Sequence, residues 1–253
     1  MAYILAQRHQ STLARFARSN VMIGFDYDGT LAPIVSVPAR ASMRGKTRRL
    51  LRAVARRYPC VVISGRDQAD VARHVGSVPV WHVSGNHGIE PWARDEAYLP
   101  QVRDWVCRLQ ATLAPWAGVI IEAKRYSVTI HYRRARQKEP ARKAINRAVR
   151  LLRGARVIGG KEAINLVPVG APHKGAALER VRRQLACDTA IYVGDDETDE
   201  DVFANASTDQ VLGIRVGRAS DSRAAYWLKN QAEVDRLLQR LLTLRPLRRP
   251  ARG

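Results

Sequence analysis

The clearest structural signal in the chain is VMIGFDYDGTLAPIV, residues 21–35. Val21–Phe25 is an apolar run with the length of a buried strand, and it leads directly into Asp26. Asp28 follows two residues later, just before Gly29 and Thr30. Two carboxylates at the end of an apolar strand are unfavourable unless something cationic meets them. The pattern therefore predicts a strand whose carboxyl end enters a polar site that holds positive charge.

Apolar runs of this kind alternate with helical patterns through much of the chain. The predicted strands are Val21–Phe25, Cys60–Ser64, Trp81–Ser84, Ala190–Gly194 and Val211–Val216. The predicted helices cover about 44–57, 67–75, 174–186 and 199–206. Short apolar strands with helices between them predict an α/β fold with a doubly wound, mainly parallel, Rossmann-like sheet. Such sheets bind ligands at the carboxyl ends of their strands, where the strand order reverses.

The regular alternation of single strands and helices is interrupted between residues 92 and 167. A helix is predicted over 99–115 and another from near Pro140, and each is followed by two strands. These strands are predicted over 118–123 and 126–132, and again over about 155–159 and 162–167. The unit reads αββαββ, which predicts two helices on an antiparallel sheet. We therefore expect an α+β cap domain, 92–167, inserted into a core domain formed by 1–91 and 168–253.

Within this cap, the stretch YSVTIHY at 126–132 alternates cleanly between apolar and polar residues. Val128 and Ile130 share one face with two tyrosines, while Ser127, Thr129 and His131 share the other. The polar face could meet a ligand or simply water, and for His131 the sequence favours neither. The C-terminal segment from Val234 has an apolar stripe at helical spacing, which predicts a helix packed on the core.

The composition indicates a globular protein with a strong excess of positive charge. The chain has 253 residues, enough for one large domain or two, and carries 43 Lys and Arg against 23 Asp and Glu. Residues 92–167 hold 16 basic and 6 acidic residues, which is half of that excess. Such a surface attracts nucleic acid, anionic lipid or phosphorylated small molecules, although a solvated arginine-rich exterior explains any single arginine equally well.

The cysteines and the hydropathy pattern bear on location. Three widely spaced cysteines and no C-x-x-C pair argue against a disulfide framework and a zinc cluster. The sequence shows neither a signal peptide nor an apolar run long enough to span a membrane. We therefore expect a cytoplasmic protein with no membrane attachment.

Four separated segments place polar groups at predicted strand or helix ends. They are DYDGT at 26–30, SGRD at 64–67, Lys174 at the start of a helix, and GDDETDED at 194–201. A cluster of carboxylates invites Mg²⁺, and a serine hydroxyl with a helix-start lysine can hold phosphate oxygens. With a phosphate so bound, Asp26 can attack phosphorus and Asp28 can act as general acid and base. Each segment alone has a simpler reading as a turn or a solvated helix start.

Together, the four segments resemble the motifs of the haloacid dehalogenase superfamily of phosphatases. The resemblance implies that Asp26 is the nucleophile, that Asp28 is the general acid and base, and that Mg²⁺ is the cofactor. It implies phosphate binding by Ser64, Gly65 and Lys174. It implies a metal site formed by Asp26, the Asp28 backbone carbonyl and Asp195, with Asp196 and Asp199 as further ligands or as residues that support the ligands.

A narrower resemblance is to the trehalose-6-phosphate phosphatases. It rests on GFDYDGTLAPI, SGRD, GNHGIE, EAKRYSVTIHYRRA, HKGAAL and GDDETDEDVF, which together span about residues 20–217. The resemblance implies that the cap closes over a sugar. It implies substrate contacts from Arg66, Asn86, His87, Glu122, Lys124, Arg125, Lys161 and residue 165. The family usually has Glu at the last of these positions, where this chain has Asn165.

The resemblance implies a phosphoric monoester hydrolase that acts on trehalose 6-phosphate, as a monomer without a nucleic-acid partner. Asn165 leaves open a phosphatase for another sugar phosphate, of the sucrose-phosphate or mannosyl-glycerate-phosphate type. The net charge leaves open a more distant alternative, a basic nucleic-acid-binding protein on the same fold. It predicts salt-sensitive binding to DNA or RNA and indifference to substitution of Asp26.

Overall fold

The structure is a computed structural model, and it describes residues 1–35, 40–92, 96, 98–160, 162–204 and 209–246. Its strands and longer helices alternate through most of this range. In chain order they are β1 (Ala2–Tyr3), α1 (Gln10–Arg18), β2 (Val21–Phe25), α2 (Gly45–Ala55), β3 (Cys60–Ile63), α3 (Gln68–Val75), β4 (His82–Ser84), α4 (Tyr98–Leu113), β5 (Ile120–Ala123), β6 (Val128–His131), α5 (Lys138–Arg150), β7 (Ala155–Gly160), β8 (Ala163–Pro168), α6 (Lys174–Gln184), β9 (Thr189–Gly194), α7 (Glu200–Phe203), β10 (Val211–Val216), β11 (Tyr226–Leu228) and α8 (Ala232–Leu244).

A parallel sheet of seven described strands forms the core, in the order β1-β11-β10-β9-β2-β3-β4. The chain runs outward from β2 to β3 and β4, then returns to β9 on the other side of β2. The strand order therefore reverses between β2 and β9, which pair in register with Phe25 opposite Val193. This reversal is the place where doubly wound sheets bind their ligands.

Helices cover both faces of the parallel sheet, because successive side chains of a strand point to opposite faces. Val21, Ile23 and Phe25 of β2 pack into one cluster with buried residues of α1, α2 and α8. Met22 points the other way, into a cluster with residues of α6 and α7. All five residues of β2 are buried, which explains why the strand reads as an unbroken apolar run.

A second sheet, antiparallel and of four described strands in the order β5-β6-β8-β7, forms the cap. Helices α4 and α5 cover one face of it through a separate cluster around Trp105, Ile130 and Leu166. The polar residues of β6 lie on the other face, which turns towards the core. The expected αββαββ order is confirmed, and the domain boundaries at 91/92 and 167/168 stay a prediction.

The element predictions differ from the structure mainly at ends and edges. The strand predicted from Trp81 begins at His82, and that predicted to Ser64 ends at Ile63. The edge strand β1 and the short β11 were not predicted, because two or three residues carry too little pattern. Helix α8 buries Val234, Leu237 and Leu238 against the core, as its stripe predicted.

Two properties expected from composition can also be compared with the structure. The cysteines at positions 60, 107 and 187 are all free thiols. Across the described ranges, no helix combines the length and apolar character needed to cross a bilayer.

Candidate active site

Asp26 and Asp195 meet where the strand order of the parallel sheet reverses. They follow β2 and β9 directly, and the Asp26 N–H donates to the Val193 carbonyl at 2.8 Å. Both side chains are almost fully buried. Gly29 makes room for them: it has a φ of +85°, and a Cβ there would lie 2.0 Å from Asp195 Oδ2. The Asp-Gly pair of the first motif is therefore part of the site.

Lys174 brings positive charge to these acids. It is the first residue of α6, and its Nζ lies 2.7 Å from Asp26 Oδ1 and 2.8 Å from Asp199 Oδ1. The side chain is 1% exposed. Burial lowers the pKa of the Lys174 ammonium, but the charges and hydrogen bonds of Asp199 and Asp26 outweigh burial and raise the pKa overall. Lys174 is therefore positively charged at neutral pH. Together with Asp26, Asp195 and Asp199 it forms the end of the site at the edge of the parallel sheet, which we call the floor.

Asp199 is engaged on both of its carboxylate oxygens. Oδ1 accepts from Lys174 and, at 2.7 Å, from the Tyr192 hydroxyl, while Oδ2 accepts from the Asp195 and Asp196 N–H groups at 2.8 and 2.9 Å. Four donors on one buried carboxylate hold it in a single orientation. Asp199 thus fixes both Lys174 and the turn that carries Asp195.

The floor of the site has more negative than positive charge. Oxygens of Asp26, Asp195 and Asp199 lie within 4.8 Å of one another, and Lys174 is the cation that contacts two of them. Burial raises the pKa of the Asp26 carboxyl and Lys174 lowers it, while Asp199 and Asp195 raise it further, so that the net direction is upward. Burial together with the charges of Asp195 and Asp199 also raises the pKa of Asp196, to about 6. This oxygen-rich donor set, short of positive charge, fits a hard divalent cation.

Asp28 points towards the same floor from the next turn of the chain. Its two oxygens accept from Arg66, at 2.6 Å from Nε and 2.8 Å from Nη2. Arg66 is 8% exposed, and its Nη1 also donates to Asp70 at 2.8 Å. The residue that the resemblance assigns to substrate binding is therefore engaged by two acids of the protein itself.

The loop after β3 supplies the remaining groups at the floor. Ser64 Oγ accepts from the Arg66 N–H at 3.2 Å, and Gly65 follows it on the cavity wall. Behind this loop lies the buried ring of His87, and a Cβ on Gly65 would be 2.6 Å from that ring. Glycine is thus required at position 65 by the close approach of His87.

A cavity of about 490 Å³ connects this floor with the polar face of the cap sheet. On the core side it is lined by Asp26, Asp28, Ser64, Gly65, Arg66, Lys174, Asp195, Asp196 and Thr198, with Ile34 and Val35 from the loop after β2. On the cap side it is lined by Ile120, Glu122, Lys124, Thr129, His131, Arg133, Gly160, Ala163 and Asn165. The cavity therefore combines groups suited to phosphate at one end with neutral and charged polar groups at the other.

Two hydrogen-bonded sets form the cap wall. His131 Nε2 lies 2.8 Å from Glu122 Oε2, so His131 faces the cavity rather than bulk water alone. Burial raises the pKa of the Glu122 carboxyl, but the hydrogen bond of His131 and the charge of Lys124 outweigh it and lower the pKa. Lys124 Nζ donates to Thr129 Oγ1 at 3.0 Å, and that hydroxyl donates to Asn165 Oδ1 at 2.9 Å.

Several contacts hold the cap against the core in this structure. Lys124 Nζ donates to the Gly65 carbonyl at 2.8 Å, and Ser127 Oγ donates to Asn86 Oδ1 at 2.7 Å. At the β7 edge of the cap sheet, Arg156 Nη1 lies 3.0 Å from Asp201 Oδ1 of helix α7. The cap wall is therefore positioned by the same loops that carry the floor.

The structure brings most of the predicted residues to the cavity, with five exceptions. Asp199 is fully buried behind the cavity lining, where it contacts Lys174. Among the described residues, Asn86 and His87 lie behind the wall, and Arg125 is exposed above the ring of Tyr126. Lys161 lies outside the described residues. Their substrate contacts stay predictions.

Sequence reasoning missed Thr198, Arg133 and the rim formed by Ile34, Val35 and Ile120. Arg133 could have been found, because it continues the alternation of Thr129 and His131 by one more step. Ile34, which belongs to a loop, gives no periodic signal.

Comparison with known proteins agrees with this geometry. The family model for trehalose-phosphatase matches residues 24–232, which include all four motifs. The chain belongs to the trehalose-phosphatase family. A trehalose-phosphate phosphatase of Mycobacterium bovis is 37% identical to this family member over 194 residues, 71% of this chain and 49% of the relative. A maize trehalose 6-phosphate phosphatase is 29% identical, over 96% of this chain and 78% of the relative.

A solved structure supports the family fold over nearly the whole chain. The C-terminal domain of a Candida albicans trehalose-6-phosphate phosphatase superposes with a TM-score of 0.74 at 26% identity, covering 93% of this chain and 97% of that one. The predicted α/β fold with an antiparallel cap is thereby confirmed. This member of the trehalose-phosphatase family spans about half the length of the mycobacterial relatives it matches.

Proposed function

We propose that the chain is a Mg²⁺-dependent phosphatase that hydrolyses trehalose 6-phosphate to trehalose and phosphate. The observation that carries this proposal is one cavity in which Asp26, Asp28 and Lys174 face Glu122, Lys124 and Asn165 across the cap boundary. Family membership and the names of the relatives support trehalose 6-phosphate as the substrate. The enzyme class is a phosphoric monoester hydrolase.

In the first step, Asp26 is the nucleophile. Its carboxylate attacks phosphorus, an O–P bond forms, and the bond from phosphorus to the sugar oxygen breaks. Asp28 gives its proton to that leaving oxygen. Lys174, the Ser64 hydroxyl and the Gly65 backbone hold the other phosphate oxygens, because an ammonium and nearby N–H and O–H donors stabilise the charge that develops there.

In the second step, water attacks the phosphorus of the aspartyl-phosphate. Asp28 takes the proton of that water, the new O–P bond forms, and the bond to Asp26 breaks to release phosphate. The closed cap keeps bulk water from this intermediate, while the floor retains its arrangement through Asp199.

The metal is proposed to bind Asp26, Asp195 and the Asp28 backbone carbonyl. Mg²⁺ at that position supplies positive charge that offsets the carboxylates and the phosphate. Asp199, whose oxygens accept four donors of the protein, is assigned a supporting role. Asp196 lines the cavity beside Asp195 and remains a further candidate ligand.

The cap wall is proposed to recognise the sugar. Glu122 and Lys124 offer an acceptor and a donor for hydroxyl groups, and the resemblance assigns Lys161 to substrate binding as well. At Asn165 the Oδ1 atom already accepts from Thr129, so the family's carboxylate is replaced by a neutral group bound within the protein. This observation favours the second candidate, a phosphatase for another disaccharide-type sugar phosphate.

Phosphate release from a panel of sugar phosphates, with and without Mg²⁺, tests the proposal. Trehalose 6-phosphate is expected to give the highest kcat/KM, and EDTA is expected to abolish release. A preference for sucrose phosphate or mannosyl-glycerate phosphate would replace the substrate and keep the reaction. Absence of release from every phosphate ester would contradict the function.

We also expect a monomer in the cytoplasm that uses no nucleic acid and no membrane. Sedimentation of the purified chain tests its association state. Retention on immobilised DNA at 150 mM salt would instead favour the nucleic-acid alternative.

A further inference from the structure

Arg66 lies between the proposed general acid and base and a second acid on the next helix. It contacts Asp28 through Nε and Nη2, and Asp70 through Nη1, at 2.6, 2.8 and 2.8 Å. All three nitrogens of the guanidinium are therefore directed at carboxylates of the protein. A fork-to-fork contact of this kind fixes orientation as well as charge.

The surroundings of Arg66 keep its own side chain in place. Its guanidinium lies above the ring of Tyr27 at 5.6 Å, and Nη1 is 3.3 Å from His74 Nε2. Asp70 is the i+4 neighbour of Arg66 and is held in turn by Arg73 at 2.9 Å. Arg66 is thus fixed from one side, while Asp28 remains 38% exposed to the cavity.

The contact with Arg66 bears directly on the orientation of the Asp28 carboxylate. It lies in the turn between β2 and Leu31, and Arg66 is the partner that engages both of its carboxylate oxygens. A carboxylate that exchanges a proton with a substrate oxygen has to be placed within a few tenths of an ångström. The two hydrogen bonds from Arg66 therefore hold the Asp28 carboxylate in one orientation.

We propose that Arg66 is a positioning residue for Asp28, and that Asp70 anchors Arg66 for this purpose. The inference rests on the proposed function, because it concerns the proton transfer at Asp28. It assigns Arg66 a role different from the substrate contact implied by the resemblance. In this role Arg66 acts on the substrate only through Asp28.

The two roles predict different kinetics. A substrate ligand, when shortened, raises KM for every phosphate ester that it contacts. A positioning residue lowers kcat/KM most for esters whose leaving oxygen needs a proton. A sugar alkoxide needs that proton, whereas p-nitrophenolate leaves without one. Arg66→Lys keeps the positive charge and loses the two-nitrogen contact.

The experiment measures kcat/KM of Arg66→Lys on trehalose 6-phosphate and on p-nitrophenyl phosphate. A loss of about thirtyfold or more is expected on the sugar phosphate, with a loss below about threefold on the aryl ester. In the Asp28→Asn background the same substitution is expected to change the sugar-phosphate rate by less than about twofold. Equal losses on both esters, or full additivity with Asp28→Asn, would overturn the inference.

Controls separate this outcome from misfolding and from failure of the proposed function. Arg182→Lys removes a similarly buried two-nitrogen contact, that of Arg182 with Glu179, outside the cavity, and is expected to keep wild-type kinetics. Asp70→Asn tests the anchor without altering Arg66, and a loss of about threefold to tenfold with the same ester selectivity is expected. If Arg66→Lys does not fold, the ester selectivity of Asp70→Asn tests the positioning role in its place. A wild type without phosphatase activity would overturn the proposed function, whereas an active wild type with ester-independent losses overturns only the positioning role.

Discussion

The floor of the cavity and its cap wall differ in how firmly their polar groups are held. On the floor, the Asp26, Lys174 and Asp199 side chains are 6, 2 and 0% exposed, and both acids accept a hydrogen bond from Lys174. On the cap wall, Glu122 and His131 keep 41 and 30% of their side-chain surface exposed. Buried charges need fixed partners, because their desolvation is not otherwise compensated. The half-exposed groups can exchange their protein partners for ligand hydroxyls at little cost.

Because of this difference, we expect substitutions at the two ends of the cavity to change different properties of the enzyme. Substitution on the floor should change turnover and stability, because the groups there are mutually dependent. Substitution on the cap wall should change affinity for the sugar and leave the reaction with small esters nearly intact. The following substitutions test that division.

Asp26→Asn is expected to have the largest effect. The variant keeps the shape of the side chain but removes the nucleophile, so phosphate release should fall by at least about a thousandfold on every ester. Turnover should be followed with inorganic phosphate detection, and the fold with circular dichroism. Activity within tenfold of the wild type would contradict the assignment of the floor as the reaction centre.

Lys174→Met is expected to lower both activity and stability. It leaves Asp26 and Asp199 buried without their cation, and breaking a buried ion pair from one side costs about 3 kcal/mol or more. Urea unfolding with and without Mg²⁺ measures this cost. A metal that occupies the acidic floor should restore part of the lost stability. Unchanged stability in both conditions would show that the ion pairs of Lys174 with Asp26 and Asp199 contribute little to the stability of the fold.

Lys124→Ala is expected to act on affinity. KM for trehalose 6-phosphate should rise by about tenfold, whereas KM for p-nitrophenyl phosphate should change by less than about twofold. Lys161→Ala is the parallel variant for the residue assigned to the sugar from the resemblance. Equal changes on both esters would mean that the cap wall does not recognise the sugar.

The smallest expected effect is a pH dependence of stability from His87, which is buried behind the loop that carries Gly65. Burial lowers the pKa of its imidazole well below the ordinary value, and the charges of Lys124, Lys174 and Arg156 lower it further. The unfolded chain therefore takes up the proton first, and stability falls as the pH drops below about 6.5. Well above that pH this group contributes no loss of stability.

Urea unfolding at pH 7.5, 6.5 and 5.5 measures this dependence for the wild type and for His87→Gln. The wild type should lose up to about 1 kcal/mol more than the variant between pH 6.5 and 5.5. The contribution of His82, whose pKa burial also lowers, is common to both proteins and cancels. Parallel curves would show that folding leaves the pKa of His87 unchanged, which contradicts the prediction.

The strands of the core were predictable because burial on both faces leaves an unbroken apolar run. Val21–Phe25 and Val211–Val216 match the structure residue for residue. The floor of the site was predictable for a related reason, since parallel strands bring their carboxyl ends to one edge of the sheet. The alternation of YSVTIHY likewise predicted that Thr129 and His131 share one face of the cap sheet, and both line the cavity.

The partners of these groups were less predictable. The contact of Arg66 with Asp28, and the choice of the Asp199 oxygen that accepts from Tyr192, depend on how closely separate elements approach in the folded protein. The sequence does not show these distances. The contact of Arg66 with Asp70 was not predicted either, although its i+4 spacing could have indicated it. Asn86 and His87 lie behind the wall because of the backbone turn after β4, where both residues have positive φ.

The pairing of β2 with β9 has a consequence for how the protein is made. During synthesis β1 to β4 emerge first, and then the entire cap with its own apolar cluster and antiparallel sheet. Only afterwards does β9 become available to pair with β2 and bring Asp195 to Asp26. The cap is therefore expected to acquire structure on the ribosome while β2 still lacks β9, its partner on one side. The reaction centre is among the last parts of the molecule to exist.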